Sequence, residues 1–209
     1  MSVTIQWLGH ASFRISHNDT IIYIDPWKLD ISPHDATFVL VSHTHYDHYS
    51  SSDITRVSGP QTRLIATADV IEKEGTGQTV EPGRAIEIGQ VRVTATPAYN
   101  PDKQYHPRAN NWVGFIVEIG SKRIYYAGDT DIITEMRELT EIDLALLPVG
   151  GTYTMDADEA VQAVSQIKPQ QAIPYHWGDI VGSLDDAKKF AKIAACKVTL
   201  LNPGESVTL

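Results

Sequence analysis

The hexapeptide His43-Thr44-His45-Tyr46-Asp47-His48 decides the interpretation of this chain. It brings three imidazoles and one carboxylate into six consecutive residues, a density that a structural loop rarely needs. Imidazole and carboxylate suit a borderline divalent ion such as zinc, and no thiolate is required. Alternation would place His43 and His45 on one side to hold one ion, while Asp47 and His48 reach a second. The motif therefore predicts a two-metal site, and the alternative is a surface loop that happens to be rich in histidine.

Four apolar segments end at a residue that can bind a metal ion. They are Ile21–Ile24 before Asp25, Phe38–Ser42 before His43, Ile124–Ala127 before Gly128 and Asp129, and Ala172–Tyr175 before His176. In layered α/β folds, strand ends on one edge converge, and the loops that follow them carry function. Because one short loop cannot complete two coordination shells, we expect Asp129 and His176 to supply further ligands.

Asp129 and His176 each also have a structural interpretation. Gly128 permits a sharp exit from the preceding strand, and a carboxylate at Asp129 could then bridge both ions. Asp129 could instead cap a helix over Ile132–Leu139. A histidine at a strand end, such as His176, is more often a structural residue with satisfied hydrogen bonds. Spacing alone leaves these alternatives open.

The order of the motifs resembles that of the metallo-β-lactamase superfamily over nearly the whole chain. The matching features are the hexapeptide, the turn Gly128-Asp129-Thr130, the late His176, and Asp25 in Ile24-Asp25-Pro26-Trp27. The opening Trp7-Leu8-Gly9-His10-Ala11-Ser12-Phe13 is similar to one branch of the superfamily. That branch includes ascorbate-phosphate lactonase-like and N-acyl-phosphatidylethanolamine phospholipase D-like enzymes. The resemblance implies an α/β (α+β) fold, a four-layer αββα sandwich with metals at one edge of the paired sheets.

The resemblance also implies a set of metal ligands. They are His43 and His45 for the first ion, Asp47, His48 and His176 for the second, and Asp129 for both. Asp25 would lie behind the ligands and orient one of them.

The third ligand of the first ion is where this chain departs from the resemblance. The family's middle histidine should follow the strand Val91–Pro97, but the chain continues there with Ala98-Tyr99-Asn100-Pro101. His106 is the only histidine in that region. It would reach the ion from the loop as a displaced ligand. Otherwise it is an exposed loop residue, and Asn100 or water fills the position.

Apolar runs and turn residues predict the elements of secondary structure. The strands are Val3–Leu8, Ser12–Ser16 and Thr20–Asp25 as an antiparallel meander turning at Asn18-Asp19, then Ala36–Ser42, Arg63–Thr67, Ala85–Ile88, Val91–Pro97, and a hairpin of Trp112–Ile119 and Lys122–Ala127 through Gly120-Ser121. The helices are Asp156–Ile167 and Ser183–Ala195, and a capping-box pattern opens the second.

Length, charge and cysteine content restrict the class of protein. The 209 residues suit a single domain, residues 1–209, and the formal net charge of −9 argues against binding to nucleic acid. Two bound cations would still accommodate an anionic small substrate. Because Cys196 is the only cysteine and we find neither a signal peptide nor a membrane span, we expect a cytoplasmic protein. The sequence makes no prediction about oligomeric state.

Together these features predict a metal-dependent hydrolase with two divalent ions, most readily Zn²⁺, with Mn²⁺, Fe²⁺ or Ni²⁺ as alternatives. A hydroxide bridging the ions would attack a small carboxylic ester, lactone or phosphodiester. Asp47 and Asp129 would hold this nucleophile and take its proton. Tyr153 and His106 are candidate acids for the leaving group, and the alternative role of Tyr153 is plain packing within its loop.

Two other functions compete with this one. A nuclease of the same superfamily is disfavoured by the acidic charge. A non-catalytic metal-binding scaffold is favoured only by the missing middle histidine. His10, in the loop after the first strand, either borders the site or is a partly buried structural residue.

Overall fold

A computed structural model describes residues 2–209, which separate into two compact units. The first unit comprises the chain up to Glu81 together with Asn202–Leu209, and the second comprises Pro82–Leu201. Each unit is built around one seven-stranded sheet with helices, which confirms the predicted α+β class. That residues 1–209 form a single domain stays a prediction.

The elements within the described residues follow the predicted order. The strands are β1 (Thr4–Gly9), β2 (Ser12–His17), β3 (Thr20–Ile24), β4 (Ala36–Val41), β5 (Ser58–Ala66), β6 (Gln78–Thr79), β7 (Ala85–Ile88), β8 (Val91–Pro97), β9 (Val113–Ile119), β10 (Lys122–Tyr126), β11 (Leu144–Pro148), β12 (Gln171–Tyr175), β13 (Lys197–Val198) and β14 (Ser206–Thr208). The α-helices are α1 (Ser51–Val57), α2 (Ala68–Glu74), α3 (Ala157–Ile167) and α4 (Leu184–Ile193), and short 3-10 helices cover Arg108–Asn110 and Thr134–Glu138.

The sheet of the first unit has the order β14-β1-β2-β3-β4-β5-β6. Strands β1, β2 and β3 form the predicted antiparallel meander, and Asn18 at its second turn has a φ of 52°. Strands β3, β4 and β5 then run parallel. Because parallel strands end at the same edge of a sheet, Asp25 after β3 and His43 after β4 arrive at that edge together.

Two helices, the short strands β6 and β14 and part of β5 in the first unit were not predicted. Helices α1 and α2 have seven residues each, too few for a clear apolar stripe in the sequence. Ser50 begins α1 by accepting a hydrogen bond from the backbone N–H of Asp53. Strand β5 begins at Ser58, before the predicted start at Arg63. The prediction missed its first half because that half is polar and lacks the pattern of a buried strand.

The sheet of the second unit has the order β13-β12-β11-β10-β9-β8-β7. Strands β9 and β10 form the predicted hairpin, with Gly120 and Ser121 at positive φ in its turn. Strands β10, β11 and β12 are parallel, so Asp129 and His176 both follow carboxyl ends at one edge of this sheet. The unpredicted β11 lies between them as a fully buried run without alternation.

Helices α3 and α4 confirm the predictions for the second half of the chain. Both begin with a complete capping box, Asp156 with Glu159 and Ser183 with Asp186. Across residues 2–209, no helix has the combined length and apolar character that crossing a bilayer requires.

Candidate metal centre

The hexapeptide forms a tight turn directly after β4 in the first unit. The backbone N–H groups of His48 and Tyr49 both donate to the carbonyl of His45, at 3.0 and 2.9 Å. This turn buries His43, Asp47 and His48. The segment is therefore a folded loop with three buried side chains, and that it binds metal stays a prediction.

The rings of His43 and His45 meet in a geometry that suits one metal ion. Nε2 of His43 lies 3.1 Å from Nδ1 of His45, and the rings are nearly perpendicular at 76°. At zinc–nitrogen distances of about 2.0–2.1 Å, two imidazole ligands of a tetrahedral ion have nitrogens about 3.4 Å apart. The donor types and their separation therefore fit a shared divalent ion.

Asp25 determines which nitrogen of two of these rings carries a proton. Its buried carboxylate accepts hydrogen bonds from Nδ1 of His48 at 2.7 Å, the backbone N–H of Ser42 at 2.7 Å and Oγ of Ser42 at 2.5 Å. Because Ser42 donates its hydroxyl proton to Asp25, its oxygen accepts from Nδ1 of His43 at 2.9 Å. Both rings then keep Nε2 as the nitrogen able to bind a metal, as the predicted orienting role of Asp25 requires.

Asp47 contacts a residue that the sequence did not assign to the site. Its Oδ2 lies 3.0 Å from Nε2 of His10 and 3.9 Å from Nε2 of His48. His10 is 4% exposed and packs against Trp27, with ring centroids 5.2 Å apart. The sequence signal that marked it was its place in the opening segment quoted above.

The second unit brings two histidines to one carboxylate oxygen. Oδ2 of Asp129 lies 3.2 Å from Nε2 of His106 and 3.3 Å from Nε2 of His176, and all three side chains are buried. Asp129 caps no helix within the described residues: the 3-10 helix that follows begins after Ile133, so the capping alternative is wrong.

Gly128 makes the backbone path into Asp129 possible. It has a φ of 69°, and a Cβ at this position would lie 2.6 Å from the carbonyl oxygen of Val113. Its own carbonyl accepts the hydroxyl of Tyr175 at 2.5 Å. Only glycine satisfies both the left-handed backbone and the close approach of β9.

His106 is held from behind by Asn100. Oδ1 of Asn100 accepts from both the backbone N–H and Nδ1 of His106, each at 2.9 Å, and its Nδ2 donates to the carbonyl of Tyr153 at 3.0 Å. His106 is 1% exposed, so the alternative of an exposed loop residue is wrong. With its proton on Nδ1, a neutral His106 turns the lone pair of Nε2 toward an oxygen that also only accepts. A cation between the two atoms would resolve this repulsion, so these residues fit a metal ion.

Tyr153, a candidate acid for the leaving group, is partly buried in the second unit. Its ring packs edge-on against Tyr105, with centroids 4.8 Å apart. Within its own unit it thus lies beside the Asn100–His106 pair, through the carbonyl that Asn100 contacts.

Comparison with known proteins identifies the class. Residues 4–176 match the β-lactamase superfamily domain. The chain therefore belongs to the metallo-β-lactamase superfamily, as the motifs indicated.

Within the superfamily, the chain belongs to a family of metal-dependent hydrolases. It is 33% identical to a UPF0173 metal-dependent hydrolase of Nitratidesulfovibrio vulgaris, covering 100% of this chain and 96% of the relative. It is also 33% identical to a UPF0173 metal-dependent hydrolase of Pyrococcus abyssi, covering 99% and 100%.

Solved structures agree with this assignment. A crystal structure from Parabacteroides distasonis is 30% identical, covers 97% of this chain and 94% of its own, and superposes with a TM-score of 0.85. Igni18, a metallo hydrolase from Ignicoccus hospitalis, is 25% identical, covers 100% and 99%, and has a TM-score of 0.82.

Proposed function

We propose that this protein uses two divalent cations to hydrolyse a small carboxylic ester, lactone or phosphodiester. One observation carries the proposal: a single oxygen of Asp129 lies 3.2 and 3.3 Å from the Nε2 atoms of His106 and His176. A carboxylate oxygen close to the Nε2 atoms of two imidazoles is what a ligand shared by two ions needs. The buried, oriented histidines of the hexapeptide support the same interpretation.

The ligand assignment joins the geometry within each unit to the family resemblance. We assign His43, His45 and His106 to the first ion, Asp47, His48 and His176 to the second, and Asp129 to both. That residues of the two units bind the same pair of ions comes from the resemblance. His106 then takes the place of the family's middle histidine, with Asn100 supporting it as an acceptor at Nδ1.

The residues of the chain divide the catalytic work. When bound, the two cations acidify a water molecule and polarise the oxygen of the scissile bond. Asp47 and Asp129 hold the attacking water and accept its proton. Of the two candidate acids, we propose Tyr153 as the proton donor to the leaving group. The other candidate, His106, has its Nδ1 already hydrogen-bonded to Asn100.

The substrate class follows from charge and ligand type. The net charge of −9 disfavours a nucleic acid as substrate. Local positive charge on the two ions favours a small, uncharged or anionic ester. We propose zinc as the metal because the ligands are imidazole and carboxylate, with manganese, iron or nickel as alternatives. The single cysteine supports a reducing compartment such as the cytoplasm.

The first test is the metal content per chain, measured by elemental analysis of protein purified without added metal or chelator. We expect about two ions in the parent and about one in His106→Ala. His17→Ala is the matched control and should keep about two ions. The His17 side chain lies near the surface, and in the described structure it bonds only the carbonyl of Ser2. Two ions in His106→Ala would remove His106 from the ligand set. No metal in the parent, even after zinc or manganese is supplied, would overturn the proposal that this protein is a hydrolase with two metal ions.

A screen of esters, lactones and phosphodiesters then tests the chemistry. We expect His43→Ala to lower turnover by at least about 100-fold on whichever substrate the parent cleaves, since loss of one ion removes part of the charge stabilisation. A scaffold predicts instead a metal-loaded parent that is inactive on all three classes.

A further inference from the structure

His10 lies outside the hexapeptide, in the turn that joins β1 to β2. Its backbone has a φ of 46°, and the preceding Gly9 has a φ of 116°. The register of the two strands shifts at this point, between Trp7 and Gly9. A left-handed backbone costs a residue with a Cβ about 1–2 kcal/mol, and such strain is concentrated at functional sites.

His10 is held both at its backbone and at its ring. Nε1 of Trp7 donates to the carbonyl of His10 at 3.0 Å, which anchors the turn. The ring of Trp27 packs against the imidazole at 5.2 Å and 57°. Trp27 is itself held, because its backbone N–H donates to Oγ of Ser12 at 3.0 Å. The direction of the His10 ring is therefore determined by its surroundings before any ligand binds.

The fixed ring meets the carboxylate of Asp47. Nε2 of His10 lies 3.0 Å from Oδ2 of Asp47, and the two side chains are 2% and 12% exposed. Since a carboxylate only accepts, the proton lies on Nε2 of His10 and is donated to Asp47. A carboxylate ligand that is hydrogen-bonded by a neighbour binds a metal more tightly than one that rotates freely.

We propose that His10 is a positioning residue for Asp47. Its Nε2–H holds the Asp47 carboxylate in the orientation that binds the second metal ion, and this inference rests on the proposed function. The Asp25 network orients the imidazoles of His43 and His48, whereas His10 bonds the carboxylate of Asp47. The two supports meet at His48, whose ring lies edge-on to the ring of His10 with centroids 6.0 Å apart.

The test is a zinc titration in competition with a chromogenic chelator, combined with a matched pair of variants. His10→Leu and His10→Gln both fill the space of the ring, but only glutamine donates a hydrogen bond. We expect His10→Leu to weaken one of the two zinc ions about 10–100-fold, and His10→Gln to stay within about threefold of the parent. Thermal unfolding of the metal-free variants separates a folding defect, common to both, from a binding defect.

Asp47→Ala completes a double-mutant cycle. If His10 acts through Asp47, adding His10→Leu to Asp47→Ala produces no further loss of zinc affinity. A further loss, or His10→Gln as weak as His10→Leu, would overturn the positioning role and make the ring a ligand. Parent-like affinity in His10→Leu would overturn the inference alone. A parent that binds no zinc would instead overturn the proposed function.

Discussion

Oδ1 of Asn100 lies 2.9 Å from Nδ1 of His106 and 2.9 Å from the backbone N–H of the same residue. A single amide oxygen therefore sets both the ring orientation and the tautomer of His106. His106, the proposed counterpart of the family's middle histidine, lies in a loop, and Asn100, which follows β8 where that histidine was expected, holds it in place.

Removing the Asn100 acceptor should weaken metal binding without removing a ligand. We expect Asn100→Leu to lower the affinity for one zinc ion about 10–100-fold, because His106 can then rotate and exchange tautomers. Asn100→Asp keeps an acceptor at the same reach and should retain most of the affinity. The measurement is the chelator-competition titration, and equal losses in the two variants would show that Asn100 acts only through its bond to Tyr153.

Asp25 should contribute to stability even without metal. Its fully buried carboxylate accepts three hydrogen bonds, two from Ser42 and one from His48. Asp25→Asn replaces one acceptor by a donor that faces other donors, so we expect the free energy of unfolding of the metal-free protein to fall by about 3 kcal/mol. Urea unfolding measures this change.

Asp19→Asn is the control for Asp25, since Asp19 is exposed in the turn before β3. Its effect should stay within about 0.5 kcal/mol. A loss below about 1 kcal/mol in Asp25→Asn would mean that the network around Ser42 rearranges at little cost.

Much of the fold was predictable because local pattern and tertiary structure agree. The meander at Asn18, the hairpin at Gly120-Ser121 and the two capped helices carry turn or capping residues that specify one local structure. Two of the elements that were missed are harder to recognise: β11 is a uniformly apolar run without turn or capping residues, and α1, although Ser50 caps it, has only seven residues. Tertiary neighbours, rather than local sequence, decide their structure.

The candidate site shows the same division. The hexapeptide and Asp25 were recognisable because their spacing is local or follows an apolar strand. The contact of His10 with Asp47 joins residues 37 positions apart, and that of His106 with Asp129 depends on the course of a loop. A one-dimensional pattern cannot show either contact, so the sequence allows two interpretations of His10 and three of His106.

Gly128 allows a test of the strand exit that presents Asp129. We expect Gly128→Ala to destabilise the protein by about 1–3 kcal/mol more than Gly89→Ala, and to lower metal content. Both glycines have positive φ, 69° and 60°, but a Cβ at Gly89 meets nothing within 4 Å, whereas one at Gly128 meets the carbonyl of Val113. The difference between their urea midpoints therefore isolates the close approach, and equal midpoints would contradict it.

Tyr46 is the one hexapeptide side chain turned mainly to solvent. It is 67% exposed, its ring contacts Trp27 edge-on at 6.2 Å, and Nζ of Lys28 lies 4.2 Å from the centroid of the Trp27 ring. An exposed aromatic ring between metal ligands can bury its face against a bound substrate, as interface aromatics do. Tyr46→Ala should therefore raise KM about 5–30-fold, since the lost apolar burial is about 1–2 kcal/mol, with a smaller change in kcat. Tyr46→Phe keeps the ring and should behave as the parent in steady-state kinetics on the substrate found by the screen. A fall in kcat at constant KM in Tyr46→Ala would show instead that the ring supports the loop geometry of Asp47 and His48, because only interactions made in the transition state change kcat alone.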